Sequence, residues 1–134
     1  MSDADKALAR RLYERLNAGD LSVVDDLISD EFVEHEEFPG LEPNKAGVRK
    51  MFDMFHTAFR DAKFEVDDMI AEGDKVCVRA RMTGTHQAEF MGIPATGQTI
   101  NVGVGDYFRI DNGMVLEHWG VMDTGAMMQQ LAGD

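Results

Sequence analysis

The chain is short of basic residues and of cysteine, and each shortage excludes a class of protein. Lysine and arginine number only 13, against 25 aspartates and glutamates, so the net charge is -12. A surface this acidic repels phosphate groups, and we expect neither nucleic acid nor an anionic membrane as a partner. The single cysteine, Cys77, cannot form an internal disulfide, and its place in an apolar alternation predicts a small core side chain without chemistry.

Long apolar runs are also missing. No stretch approaches the roughly 20 apolar residues of a membrane span, and the N-terminal sequence has no apolar run typical of a signal peptide. We therefore predict a cytoplasmic protein. With 134 residues the chain is too short for two self-sufficient cores, and no linker or repeat interrupts it, so we expect one domain over residues 1–134.

The spacing of apolar residues changes once along the chain, from a helical to a strand period. Helices are predicted up to Asn17, over residues 21–29 and over residues 43–60. Residues 63–86 and 98–123 each predict a hairpin of two strands. Helices that come before strands favour an α+β domain, in which helices pack on one face of a curved antiparallel sheet.

The turn of the second hairpin, IDNGM, fits two registers. It can close as a three-residue loop with a left-handed Gly113, or as a two-residue turn of Asn112 and Gly113. We prefer the longer loop because it makes one face almost entirely apolar. The opposite face then carries Trp119 across from glycines, which predicts a cavity on that side. The apolar face consists of Val102, Val104, Phe108, Ile110, Met114, Leu116 and Met122.

Four stretches in order carry a specific resemblance. They are GDLSVVDDLISDEFVEH (19–35), AFRDAKFEVDDMIAEGDKVCVRARMTGTH (58–86), EFMGIPATG (89–97) and YFRIDNGMVLEHW with the aspartate at 123 (107–123). Together they resemble the SnoaL-like polyketide cyclases, or ester cyclases, of the nuclear-transport-factor-two-like fold. The resemblance implies a cone-shaped α+β barrel, and an intramolecular aldol condensation of a polyketide ester that needs no metal or cofactor.

The resemblance also implies a general acid and base at the end of the last strand, which is Asp123 here. A carboxylate beside Trp119 and Val121 in a pocket would be desolvated, which raises its affinity for a proton. The same residue also fits a helix start, with Asp123 or Thr124 as the N-cap. We prefer the site role, although one carboxylate could do both.

The other candidate site residues are weaker. His35 is a second catalytic candidate by resemblance, and a solvated turn explains it equally well. Tyr13 could direct its hydroxyl into the cavity, although plain core is the commoner role for such a residue. His86 is expected at the pocket rim or as a loop residue that holds backbone groups. The remaining predicted substrate contacts are Trp119, Phe32, Val121 and Phe55.

Two further residue types bear on the reaction. No histidine has a metal-ligand spacing such as HExxH, so we expect no metal site. His118 alternates away from Trp119 and is predicted on the outer face. Arg109 could hold a substrate carbonyl, but it more simply pairs with Glu117.

Three functions follow as hypotheses. The leading one is a cofactor-free enzyme that performs aldol-type acid–base chemistry on a hydrophobic, carbonyl-bearing molecule. A non-catalytic binding or assembly domain is the alternative. An epoxide hydrolase-like or isomerase-like enzyme ranks lower, because its second acid, Asp106, would have the wrong parity relative to Asp123. The apolar hairpin face also predicts a homodimer or a higher even assembly.

Overall fold

The computed structural model describes residues 2–133, in which helices pack on a five-stranded sheet. The strand order is β1-β5-β4-β3-β2; β2 to β5 pair antiparallel, and β1 pairs parallel with β5. The predicted α+β fold is confirmed, with β1 adding one parallel pair. The elements are α1 (Ser2–Asn17), α2 (Val23–Leu27), β1 (Ile28–Glu34), α3 (Lys45–Ala58), β2 (Lys63–Glu72), β3 (Lys75–Thr85), β4 (Thr99–Asp111), β5 (Met114–Met122) and α4 (Thr124–Ala132).

The segment predicted as a helix over residues 21–29 divides into two elements. Helix α2 has only five residues, and the chain is extended from Ile28 onward. Within β1, Ile28, Phe32 and Glu34 are buried, and the exposed Val33 between Phe32 and Glu34 shows the two-residue alternation of a strand. The helical prediction for the end of this segment is therefore wrong, and the strand delivers a carboxylate to the interior.

All the helices lie against one face of the sheet, where the core forms. The buried side chains of β4 alternate with exposed ones along its whole length, and Asp106 is the only polar residue among them. Among the described helices, none has the length and apolarity needed to cross a membrane. The buried positions of β4 are Ile100, Val102, Val104, Asp106, Phe108 and Ile110.

The turn between β4 and β5 is the two-residue one. Asp111 pairs with Met114, and Asn112 and Gly113 have φ values of 51° and 72°, which suits a tight hairpin turn. The preferred three-residue loop is therefore wrong. A β-bulge beyond Arg109 shifts the register by one residue. Glu117, Trp119 and Val121 therefore share a face with the odd-numbered residues of β4, whereas Val115, on the turn side of the bulge, is buried opposite Ile110.

The predicted side of the cavity is also wrong. The face with Trp119 is the outer face, which the helices leave uncovered; there Tyr107 is 41% and Val121 is 72% exposed. The apolar side chains of β4 are instead buried against the helices of the same chain. The physical reason is that the chain's own helices cover its most apolar sheet face, so that face needs no second copy.

A glycine in the first turn of α3 fixes the loop before that helix. A Cβ on Gly47 would overlap the carbonyl oxygen of Glu42, and Asn44 caps the helix by accepting a hydrogen bond from the Gly47 amide at 3.0 Å.

Gly47→Ala should therefore lower the free energy of unfolding by about 1–3 kcal/mol, measured by urea denaturation. The control is Gly125→Ala in α4, whose Cβ meets only Asp123 Oδ1 at 3.7 Å. Equal stability of the two variants would contradict the steric argument.

Candidate active site

A cavity of about 60 Å³ lies between the inner face of the sheet and helices α1 and α3. It adjoins a wider recess of about 460 Å³ beneath the loop that precedes α3, and Phe38 and Met51 border both spaces. Most of the cavity wall is apolar, with six phenylalanine rings among its residues: Phe32, Phe38, Phe52, Phe55, Phe64 and Phe108. The polar residues of the wall are Tyr13, Glu34, Glu36, Asp106 and His118.

Four of these polar side chains form one hydrogen-bonded chain. The Tyr13 hydroxyl donates to Asp106 Oδ2 at 2.5 Å. His118 Nε2 lies 2.8 Å from Asp106 Oδ1, and its Nδ1 lies 2.6 Å from Glu34 Oε2. All four residues are buried. Helix α1 and strands β1, β4 and β5 contribute one residue each, so the chain exists only in the folded protein.

His118 is the cation of this chain. Burial by itself lowers the pKa of His118, but hydrogen bonds and charges from Asp106 and Glu34 outweigh burial and raise it to about 10. The ring is therefore an imidazolium at neutral pH, and both of its nitrogens donate. Burial, and next the charge of Asp106, raise the pKa of Tyr13 well above its ordinary value. Tyr13 stays a hydroxyl and can donate as well.

Glu36 stands where the cavity opens into the recess. Burial raises its pKa and the positive charge of His118 lowers it, while Asp106 and Glu34 raise it, to a value of about 7. Gly120 makes room for this carboxyl, because a Cβ there would overlap Glu36 Oε1 and approach His118 Cε1 to 2.6 Å. A carboxyl with this pKa can both give and accept a proton near neutral pH.

Three of these groups could also present ligand atoms to a metal ion. One atom each from Glu36, Asp106 and His118 lie within 4.8 Å of one another. Both nitrogens of His118, however, already face carboxylates. An ion would therefore have to displace a short hydrogen bond, so the donor set fits proton exchange better than metal binding.

Three of the predicted substrate contacts do line the cavity. Tyr13 enters it from α1, Phe32 from β1 and Phe55 from α3. Tyr13 does more than pack in the core, because its hydroxyl donates a hydrogen bond to the carboxylate of Asp106. Contact of these residues with a substrate stays a prediction.

Asp123 lies outside the cavity. Strand β5 ends at Met122, and the exposed Asp123 accepts a hydrogen bond from the Ala126 amide at 3.0 Å, which makes it the N-cap of α4. The prediction of a desolvated carboxylate beside Trp119 is therefore wrong. The alternative reading of Asp123 as a helix start describes its position.

His35, Trp119 and Val121 also lie on the outer face. The His35 ring stacks on Trp119 with centroids 4.6 Å apart and planes 5° from parallel, and His35 Nε2 lies 2.8 Å from Glu117 Oε2. Their predicted places in a cavity beneath the helices are wrong, because that cavity lies on the other side of the sheet; the three residues line a shallow, open depression on the outer face instead. Arg109 belongs to the same group and donates to Glu117 at 2.5 Å.

His86 is not at a pocket rim but fully buried. Its ring stacks on Phe59 at 5.3 Å, and its Nδ1 accepts a hydrogen bond from the Thr96 amide at 3.2 Å. His86 therefore binds a backbone amide of the following loop, which is the second of the two roles predicted for it. No arginine is among the described residues that line the cavity, so the epoxide hydrolase-like arrangement of two acids and an arginine is not formed there.

The titratable residues that line the cavity were not predicted from the residue pattern, apart from Tyr13. His118 was predicted on the outer face and is buried instead, and Asp106 was considered only as a partner of Asp123. A signal for Asp106 was present: it is the one carboxylate in an alternating apolar row from Ile100 to Ile110. A buried carboxylate needs a cation, and the residue across from Phe108 on the next strand is His118.

The N-cap role of Asp123 can be tested by stability. Asp123→Ala should lower the free energy of unfolding by about 1 kcal/mol, because the Ala126 amide loses its acceptor. Asp123→Asn should stay close to the wild type, since asparagine caps equally well. Chemical denaturation of the three proteins measures this, and equal losses in both variants would contradict a capping role.

The pKa of His118 predicts how stability depends on pH. The pKa of folded His118 is about 10, so it keeps its proton up to that pH, whereas the unfolded residue loses its proton near the ordinary histidine pKa of 6.5. The free energy of unfolding should therefore fall as pH rises from 7 towards 10, and this slope should shrink in His118→Gln. The imidazole Cε1–H resonance of His118 gives a direct check. A titration near pH 6.5 in the folded wild type would contradict the buried ion pair.

Comparison with known proteins places the chain in a family. The family model for SnoaL-like polyketide cyclases matches residues 6–131. AclR from Streptomyces galilaeus, a candidate hydroxylase, is 30% identical with a TM-score of 0.87, over 100% of this chain and 99% of that one. IdmH from Streptomyces antibioticus, a candidate polyketide cyclase, is 30% identical with a TM-score of 0.84, over 96% and 98%.

TsrD from Streptomyces laurentii is similar as well, with 27% identity and a TM-score of 0.88 over 98% of this chain and 97% of that one. No curated protein matches the chain in sequence. The family match covers nearly the whole chain, and the similar structures share its α+β fold. The chain therefore belongs to the SnoaL-like polyketide cyclase family.

Proposed function

We propose that this protein is a cofactor-free enzyme that performs aldol-type acid–base chemistry on a hydrophobic, carbonyl-bearing small molecule. One observation carries the proposal: a buried chain of charged and hydrogen-bonded groups stands in an otherwise apolar cavity, and the free carboxyl of Glu36 stands beside it. Membership of the polyketide cyclase family supports the same reaction class.

The surroundings of the two carboxyl groups assign their roles. Asp106 accepts hydrogen bonds from the His118 imidazolium and from Tyr13, so it is the carboxylate that acts as the base. Glu36 has a pKa of about 7, so its carboxyl can carry a proton near neutral pH, and it acts as the acid. A carboxylate that accepts hydrogen bonds, next to a carboxyl that can give a proton, supplies the base and the acid of such a reaction.

The reaction that fits these roles is a ring closure. Asp106 takes the proton from a carbon that lies between two carbonyl groups, which leaves an enolate. The enolate carbon forms a bond to a second carbonyl carbon of the same molecule, and the oxygen of that carbonyl takes the proton of Glu36. A proton then passes through a water molecule from Asp106 back to Glu36, since one oxygen of each residue lies within 4.8 Å of the other. The product is an isomer of the substrate.

The size of the cavity limits how the substrate binds. A space of about 60 Å³ holds only the reacting end of a molecule, because sites for drug-sized ligands are typically about 300–1,000 Å³. The rest of the substrate then occupies the recess beneath the loop before α3, past Phe38 and Met51. The aromatic walls favour a flat, apolar substrate, for which stacking adds to hydrophobic burial.

Removal of the base tests the proposal. Asp106→Asn should lower kcat by about 10²–10⁴-fold, the usual contribution of one acid–base group, with aromatic β-keto esters that carry a second carbonyl as probes. Asp123→Asn should retain wild-type turnover, because Asp123 lies outside the cavity. Binding of a non-reactive analogue to both variants, measured by calorimetry, shows that the pocket is intact. Full activity of Asp106→Asn would refute the assignment.

The acid is tested by the pH dependence of the rate. Because Glu36 must carry its proton, kcat/KM should fall as pH rises through about 7. In Glu36→Gln the rate should be low and this limb of the profile should be lost. A wild type that binds the probes but turns none of them over would instead support a non-catalytic binding domain, and the proposal would fail.

A further inference from the structure

A second apolar space lies between helix α3, the loop that precedes it and the loop that joins β3 to β4. Its volume is about 320 Å³. We call it the methionine groove, because three methionines contribute to its wall. The wall consists of Met51, Met54 and Met91, of Phe38, Phe55 and Phe90, and of Pro39. All of these side chains are apolar, so the groove suits an uncharged apolar group.

The methionine groove adjoins the cavity of the candidate active site. Phe38, Met51 and Phe55 line both spaces, and the rings of Phe38 and Phe55 meet edge to face there, with centroids 6.1 Å apart. The cavity of about 60 Å³ holds only the reacting end of a substrate. The groove therefore offers space, directly beside the cavity, for a part of the molecule that the cavity cannot hold.

The recess beneath the loop before α3 differs chemically from the methionine groove. Four glutamates belong to the wall of the recess: Glu34, Glu36, Glu37 and Glu42. Carboxylates lose hydration when an apolar group covers them, which opposes the binding of such a group there. The two spaces can therefore separate a polar part of a substrate, in the recess, from an apolar part, in the groove.

Two methionines at the rim of the groove are unusually exposed. Met54 is 41% and Met91 is 47% exposed. The other large apolar side chains of the described residues that are this exposed all lie on strands. Away from the sheet, exposed apolar surface is therefore concentrated at this groove, which is typical of a binding groove. Methionine is flexible and polarizable, so it adapts to apolar groups of different shapes.

The backbone at Met91 is unusual for its side chain. Phe90 and Ile93 exchange two backbone hydrogen bonds, of 3.0 and 2.9 Å. Met91 and Gly92 between them have φ values of 50° and 80°, as in a tight type I′ turn. A long side chain is strained at positive φ, because its Cβ approaches the backbone.

The turn between β4 and β5 provides an internal comparison. Its Asn112 has a φ of 51° and Gly113 a φ of 72°, so the two turns have similar backbones. Asparagine is a favoured residue for the first position of such a turn, whereas methionine is not. Strained residues cluster at ligand sites, where the side chain has a function. The place of Met91 on the wall of the methionine groove supplies that function.

We infer that the methionine groove binds an uncharged alkyl or aryl arm of the substrate, and that Met91 is a specificity-determining residue for this arm. The inference rests on the proposed function, because it takes the carbonyl groups of the substrate to lie in the cavity. The substrate is then a carbonyl compound that carries an apolar arm beyond its reacting part. The volume of about 320 Å³ is at the lower end of the roughly 300–1,000 Å³ of small-molecule sites, and suits an arm of several carbon atoms.

Calorimetry with aromatic β-keto esters tests the inference. The esters lack a second carbonyl, so they bind without closing a ring, and two series carry methyl to butyl groups, on the ester oxygen or on the aromatic ring. In one of the series the affinity of the wild type should rise about fourfold for each methylene that the groove buries. Met91→Asn should lower the ratio of butyl to methyl affinity in that series by about tenfold, because a polar side chain replaces part of the apolar wall.

Stability separates this role of Met91 from a purely structural one. Met91→Asn should be at least as stable as the wild type in urea denaturation, since asparagine suits the positive φ of the turn. A purely structural methionine would instead lose stability when replaced. The matched control is Asn112→Met, which places a methionine in a similar backbone conformation at a turn that does not border the groove. It should be less stable than the wild type and keep the wild-type ratio of affinities.

The outcomes for the groove and for the reaction can be told apart. Equal or undetectable affinities of the methyl and butyl esters in both series would overturn the inference, and so would a wild-type ratio of affinities in Met91→Asn. These results concern binding alone and leave the turnover of ring-closing esters to decide the proposed reaction. A chain-length dependence that Met91→Asn reduces, in a protein that turns over none of those esters, would support the groove and refute the reaction.

Discussion

The ion pair of His118 with Asp106 and Glu34 is the interaction on which the inner half of the structure depends. Charges away from water are costly unless their partners and hydrogen bonds are complete, and here both imidazolium nitrogens have a carboxylate. The pair joins β1, β4 and β5, and Tyr13 ties in α1. Removal of His118 would leave two buried carboxylates without a cation, and removal of either carboxylate would leave one imidazolium nitrogen without its acceptor. The cluster thus specifies how these four elements meet.

The burial that makes these charges costly also makes them useful for chemistry. Apolar walls raise the pKa of Glu36 into the neutral range, while His118 beside it stays protonated far above that range. Two neighbouring groups therefore hold different protonation states in one small cavity. Gly120 preserves this arrangement because any side chain there would occupy the position of the Glu36 carboxyl.

Because side chains alternate between the two faces of β4 and β5, these strands supply residues both to the cavity and to the outer face of the sheet. Asp106 and His118 face the cavity, whereas their neighbours Tyr107 and Trp119 pair with each other on the outer face. A slip of one residue in either strand would exchange these faces and place a carboxylate against solvent and an indole in the core. The bulge beyond Arg109 lets the tight turn and the correct alternation exist together, since it absorbs the one-residue difference between them.

Much of the fold could be predicted from residue patterns, because helical and strand periods are local properties: α1, α3 and the two hairpins lie where the periods place them. The capping pattern after β5 and the family motifs are local as well. The position of the site, in contrast, is not a local property of the sequence. Alternation divides a strand into two faces but does not say which face the helices cover, and His118 meets Glu34 across 84 residues of chain. Only the parallel pairing of β1 with β5, formed on folding, brings those charges together.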